Sequence, residues 1–231
     1  MIIALNNKSN LGKDEYKNYL NELKNLETNH ELILCPSLIN ISSTDIDNIL
    51  LGAQNVSSTG IGAYTGEVSA EQLHSYGVKY AIVGHSERRS QQNESLEEIY
   101  NKINQCFEND IIPILCIGET KEEKEAHRVE EVLEKEILSA IENISLEEQH
   151  NLIVAYEPIW SIGTGDIPTG EEVEDILKFI KKYLPNTKLL YGGSVTDENV
   201  GIFSGIKEVD GFLLGGLSLK PDKLQKMIEQ L

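Results

Sequence analysis

The sequence predicts an α/β fold, a single closed (β/α)8 barrel with its working face at the C-terminal ends of the strands, and three observations predict it. Eight short apolar runs recur along the chain, helical apolar spacing separates most of them, and no dinucleotide-binding glycine motif follows the first run. Regular strand-helix alternation implies a parallel sheet, either open and doubly wound or closed on itself, and eight units favour closure. An open sheet built for a dinucleotide usually carries GxGxxG after its first strand, whereas Leu5 is followed by Asn6-Asn7-Lys8-Ser9-Asn10-Leu11-Gly12.

In order, the runs are Ile2 to Leu5, Leu32 to Leu34, Leu50 to Ala53, Tyr80 to Val83, Ile111 to Ile117, Leu152 to Tyr156, Lys188 to Tyr191 and Gly211 to Leu214. Helical patterns between them include Tyr16, Leu20 and Leu23; Leu96, Ile99, Tyr100, Ile103 and Phe107; Val173, Ile176, Leu177 and Ile180; and Leu224, Met227 and Ile228. Ser69 with Gln72, and Thr169 with Glu172, read as capping boxes, in which each side chain satisfies a backbone N–H left free at a helix start. The acidic stretch Lys121 to Glu136 reads as a solvated helix face, because Val129, Val132, Leu133, Ile137, Ala140 and Ile141 recur at helical spacing.

Composition narrows the function. Residues 1–231 show no linker and read as one barrel domain. No apolar run approaches the roughly 18 residues of a membrane helix, and the first residues lack the features of a secretory signal, so a cytoplasmic protein is expected. Cys35, Cys106 and Cys116 show no CxxC spacing and suggest neither a disulfide framework nor a zinc site; they read as reduced core residues. A formal charge of -18 repels nucleic acid and anionic membranes. A small anionic substrate therefore needs local positive groups.

In a barrel, the polar residues just past each run converge at one mouth. Strand one ends in Asn6 and Lys8, strand four in Gly84-His85-Ser86-Glu87-Arg88-Arg89, and strand six in Glu157. Strands seven and eight end in Gly192-Gly193-Ser194 and Gly215-Gly216. Each has a plainer reading alone: a surface lysine, a structural histidine, a strand-end carboxylate or a tight turn. Together they suggest a site. The glycines suit a phosphate, whose oxygens bare backbone N–H groups can approach. Glu, His and Lys make a set suited to moving a proton beside a carbonyl, as base, hydrogen-bond donor and fixed positive charge. In Ala155 to Gly165, Pro158 stiffens the chain beside the acid, and Gly163 and Gly165 permit positive φ, a pattern suited to a mobile cover. There is no HExxH, CxxC or gathered acidic set with ligand spacing, so no metal site is expected and metal-assisted hydrolysis is a weak rival.

With these residues in place, the sequence resembles the triosephosphate isomerase family. Asn6-Asn7-Lys8 is similar to its Asn-x-Lys at strand one, Tyr80 to Arg89 to its histidine segment, and Ala155 to Gly165 to its base and lid. Tyr191 to Val195 and Asp210 to Gly216 resemble its phosphate-binding ends, so the likeness runs from residue 2 to about 221. The resemblance implies a TIM barrel that interconverts dihydroxyacetone phosphate and glyceraldehyde 3-phosphate without a cofactor. It implies Glu157 as base, His85 as hydrogen-bond donor to the enediolate and Lys8 as positive charge. Asn6 would position the substrate, and Gly163, Ser194, Gly215 and Gly216 would bind phosphate, mainly through backbone N–H groups. Pro158-Ile159-Trp160 would form the lid's first hinge, a loop closure of which this family is a standing illustration. It further implies a homodimer whose loop, bracketed by Gln54-Asn55 and Gly62 to Glu67, carries Thr65 to the neighbour's Asn6.

The chain departs from the family's pattern at Asn7, usually Trp; at Asp166, usually Lys; and at Leu217, usually Ala. It is also about 20 residues shorter than common members, a difference expected in the outer helices. None of these removes a catalytic group. An isomerase of a four-carbon ketose phosphate and a catalytically silent phosphate-binding barrel remain as alternatives.

Overall fold

The fold is described from a computed structural model covering residues 1–231. The strands are β1 (Ile2–Asn6), β2 (Glu31–Cys35), β3 (Ile49–Ala53), β4 (Tyr80–Val83), β5 (Ile112–Ile117), β6 (Ile153–Tyr156), β7 (Lys188–Tyr191) and β8 (Gly211–Leu214). Each pairs in parallel with the next, and β8 returns to β1 with Ile2 opposite Gly211, which closes the barrel. Every run read from the sequence became a strand, with ends moved by a residue where the pairing partner extended or cut the ladder.

The helices are α1 (Lys13–Leu23), α2 (Ala70–Ser75), α3 (Ser86–Gln91), α4 (Leu96–Phe107), α5 (Lys121–Glu125), α6 (Val129–Ala140), α7 (Leu146–Asn151), α8 (Gly170–Tyr183), α9 (Val200–Ser204) and α10 (Pro221–Ile228). Both predicted capping boxes are present, and three more stand at Ser95/Glu98, Thr120/Glu123 and Ser145/Glu148. Two expectations are corrected. The β2–β3 connection holds only a 3-10 helix, Leu38–Ser43, because the short return to β3 leaves no length for a packed α-helix. The acidic stretch is two helices, not one face, because His127 turns left-handed at φ 55° and ends α5. Nor is that stretch wholly solvated: the Glu136 side chain is only 12% exposed.

Alternation along the strands divides the apolar residues between two cores. Ile2, Ala4, Ile33, Ile82, Cys116, Ala155, Leu190 and Leu213 belong to a cluster that fills the barrel. Ile3, Leu5, Leu34, Val83, Leu115 and Val154 join the larger core between sheet and helices, with Leu20, Ile103, Leu133, Leu177 and Met227. Each such side chain contributes about 1.5–3 kcal/mol by leaving water. Closure depends on Gly211: a Cβ there would overlap the Ile2 backbone.

Candidate active site

Closure brings Asn6, Lys8, His85, Glu157, Gly163, Ser194, Gly215 and Gly216 to the wall of one cavity of about 320 Å³. All eight residues singled out from the sequence meet there. They arrive from five strand ends and the loop after β6, which sequence spacing alone does not bring together.

Lys8 follows β1 in a left-handed conformation, φ 52°, which for a lysine costs about 1–3 kcal/mol and persists only where neighbours enforce it. They do so here. Its N–H donates to Asn6 Oδ1 at 3.0 Å, and its carbonyl accepts from Gln54 Nε2 at 2.8 Å and Ser37 Oγ at 2.9 Å. The ammonium pairs with Glu87 at 2.6 Å, and the stem lies over Gly215, where a Cβ would approach Lys8 Cε to 3.1 Å.

His85 caps α3. Its Nδ1 accepts the Glu87 backbone N–H at 3.2 Å, so the ring proton of the neutral imidazole sits on Nε2. That Nε2 lies 3.3 Å from Glu157 Oε1. Glu157 is 3% exposed, its N–H is tied to the Ile117 carbonyl at 2.8 Å, and its Oε2 is buried with no hydrogen-bond partner. A buried polar oxygen left without a partner is costly, and such a group is kept where a site makes use of it. Gly192 makes the room, since a Cβ there would press on Glu157 Cγ at 2.8 Å.

The segment after Glu157 turns through a 3-10 helix, Ile159–Ser161, and Gly163 then takes φ 72°. Trp160 Nε1 donates to Glu119 Oε1 at 2.6 Å, and Tyr156 OH also donates to that carboxylate. Burial pushes the Glu119 carboxyl above its usual range, against these bonds. Farther along, the Gly163 N–H donates to Ser194 Oγ at 3.1 Å, and Ser194 Oγ–H donates to the Ser161 carbonyl at 2.5 Å. The loop after β6 is therefore tied to the end of β7 through a single serine.

Several lining residues escaped sequence reading. Lys220 and Lys223, at the start of α10, face the same cavity as the paired glycines, and Lys223 lies 3.6 Å from Asp197. Glu87, seen only as part of a motif, is the partner of Lys8. A lysine beside Pro221 was visible, but nothing local marks it as lining the cavity. Of the departures, Asn7 is buried and donates to Tyr19 OH and Ser218 Oγ, Asp166 is exposed on the loop, and Leu217 lines the cavity while packing into the outer core.

Thr65 lies apart, exposed on the loop after β3. That loop is closed by Ser57 N–H to the Val68 carbonyl at 2.9 Å, and it displays Ile61 and Tyr64, 65% and 50% exposed. A second cavity of about 520 Å³, behind Lys8 and His85, is walled by Gln54, Asn55, Gly66, Glu67 and Arg88.

Comparison with known proteins agrees with this geometry. A family model described as triosephosphate isomerase matches residues 1–231. The chain is 42% identical over 201 residues to a triosephosphate isomerase of Mycoplasmopsis agalactiae, covering 84% of this chain and 77% of that protein. It is 37% identical over 242 aligned positions to one from Mycoplasmopsis pulmonis, covering 99% and 96%. A Francisella philomiragia triosephosphate isomerase is 39% identical over 188 residues, covering 78% and 74%. By its full-length family match, its closed eight-stranded barrel and these relatives, the chain belongs to the triosephosphate isomerase family.

Proposed function

We propose that this isomerase interconverts dihydroxyacetone phosphate and D-glyceraldehyde 3-phosphate, in glycolysis and gluconeogenesis, by proton transfer at Glu157. The observation that carries the reading is His85 Nε2 set 3.3 Å from a buried Glu157, with Lys8 on the same cavity wall. Glu157 takes the proton from the carbon beside the carbonyl and returns it to the neighbouring carbon. His85 Nε2–H donates to the oxygens of the enediolate, and Lys8 stabilises their negative charge. Asn6 positions the substrate beside Lys8. Backbone N–H groups of Gly163, Ser194, Gly215 and Gly216 take the phosphate, the Gly163 N–H exchanging its bond to Ser194 for one to a phosphate oxygen as the loop closes. Closure excludes the water that promotes phosphate loss from the enediolate.

The same reading gives one domain over residues 1–231, a cytoplasmic location and a homodimer. The dimer is supported by the exposed Ile61 and Tyr64 beside Thr65, and by a second cavity that reaches Asn6, Lys8 and His85. No helix is long and apolar enough to cross a membrane.

The test is turnover of glyceraldehyde 3-phosphate by wild type and Glu157→Gln, beside a four-carbon ketose phosphate. Three-carbon activity lost in the variant establishes the reaction and its base. Four-carbon activity alone replaces the substrate, and no activity in a folded protein leaves a silent barrel.

A further inference from the structure

We propose that Glu136, on α6 and outside the cavity, is a positioning residue for the proton-transfer pair: as a carboxylate it fixes Arg89 and the Gly118 N–H, and through them the turns carrying His85 and Glu157. The proposal rests on the isomerase reading above.

Its basis is a knot of short bonds behind the site. Glu136 Oε1 accepts from Arg89 Nη1 at 2.6 Å, and Oε2 accepts from the Gly118 N–H at 3.1 Å. The same guanidinium donates through Nε to the Gly84 carbonyl and through Nη2 to the Cys116 carbonyl, each at 2.6 Å. Gly84 immediately precedes His85. Gly118 lies so close to the Glu157 backbone that a Cβ would overlap its carbonyl. One guanidinium and one carboxylate thus tie the ends of β4 and β5 together and set the Gly118 surface on which the end of β6 rests.

Both Glu136 oxygens serve as acceptors, so the knot requires the ionised acid. A proton on either oxygen would take up one of its lone pairs and remove the charge that strengthens both bonds, so the knot would loosen. Burial pushes the Glu136 carboxyl up to about 7, while Arg89 and the Gly118 N–H favour the charged form. Glu123 of α5 and Glu119 of the loop after β5 raise it further. The other helices packed on α6 bring Tyr183 of α8, bonded to Glu134, and the inward Lys102 and Cys106 of α4, Lys102 being paired with Glu94. Within ordinary working pH the knot therefore loosens as the medium is acidified.

The experiment measures kcat from pH 6 to 9 for wild type and Glu136→Gln, together with the backbone amide shifts of Gly84 and Gly118 by NMR over the same range. Wild-type kcat is expected to fall several-fold between pH 8 and pH 6 with a midpoint near 7, and both amides to titrate with it. Glu136→Gln, whose amide mimics the protonated acid, should stay at the low-pH kcat with no limb near 7 and flat amide shifts. If the variant does not fold, Glu136→Asp takes its place and should move the limb and the amide midpoint. A wild-type kcat flat from pH 6 to 8 overturns the proposal. So does a variant that is less stable yet keeps the wild-type limb, which is what a purely structural glutamate would give. Absence of turnover at every pH would instead sink the isomerase reading, and Glu136 would then be judged on the amides alone: a Gly118 shift that does not titrate near 7 overturns it.

Discussion

On the reading proposed above, the cavity has a proton-transfer side and a phosphate side, and the two are built by different means. At the ends of β4, β5 and β6 the proton-transfer side is held by side chains: His85 fixed by the Glu87 N–H, Glu157 buried against Gly118 and Gly192, and Arg89 gripping two carbonyls and a carboxylate. At β7, β8 and the loop over them, the phosphate side is glycine backbone, and the cover is fastened through Ser194. The difference follows from the chemistry asked of each. Developing charge on an enediolate is stabilised most by dipoles already in place, because reorienting them during the reaction would add to the barrier. A phosphate needs close, bare N–H groups and a loop that can open to release it.

This contrast can be broken from either side. Glu157→Gln removes the base without changing shape, and turnover is expected to drop by about 10²–10⁴-fold while circular dichroism stays native. Undiminished turnover would remove Glu157 from its role. Glu157→Asp should also slow the enzyme sharply, since a shortened side chain withdraws the oxygen from a rigid site.

Thr65→Arg probes what borders the proton-transfer side. On the dimer reading, it should halve the mass in solution and lower activity, because Asn6, Lys8 and His85 lie between the cavity and the surface where the neighbour's loop would seat. An unchanged mass by light scattering would sink the assignment of that loop.

Glu136 separates rigidity from stability. Its carboxyl is raised from 4.5 to about 7 in the fold, so its protonation stabilises the native state fully below about pH 4.5, and that stabilisation is lost as pH rises through 7. Over that window the shift corresponds to about 3 kcal/mol. Comparing urea unfolding at pH 5 and pH 8, wild type should gain stability at pH 5 relative to Glu136→Gln, in the direction opposite to its expected loss of kcat. An equal difference at both pH values would contradict the buried titration.

Ser194→Ala gives the smallest effect, on the phosphate side. Loss of the Ser194 hydroxyl frees both the Gly163 N–H and the Ser161 carbonyl, at roughly 1 kcal/mol per hydrogen bond. We expect KM to change by about fivefold with kcat nearly intact, read from initial rates over a substrate series. A drop in kcat as large as that of Glu157→Gln would erase the distinction between the two sides.

Much of this was legible in the sequence. The strands were visible because a barrel buries both faces of each strand, which leaves continuous apolar runs such as Tyr80 to Val83. Most of the cavity-lining residues were visible because they stand just past the end of such a run, Gly163 in the loop after β6 being the exception. Capping boxes at Ser95, Thr120 and Ser145 carried the same local signal as Ser69 and could have been read alongside it. His127 carried no comparable warning: its left-handed turn splits one apparent helix into two. Glu136 looked like a solvated charge because its helical neighbours are charged, yet it turns inward to Arg89, 47 residues away.

The sequence by itself determined the alternation of elements and the chemical types waiting at strand ends, since both depend on periodicities of a few residues. Tertiary structure decided which of them meet. Only closure, permitted by Gly211 against Ile2, places Lys8, His85, Glu157 and Ser194 around one cavity and brings Lys220 and Lys223 to the wall it shares with the paired glycines. Only packing turned Glu136 from a surface charge into a part-buried, bonded one, because its environment is set by α3 and the β5 loop rather than by its own helix.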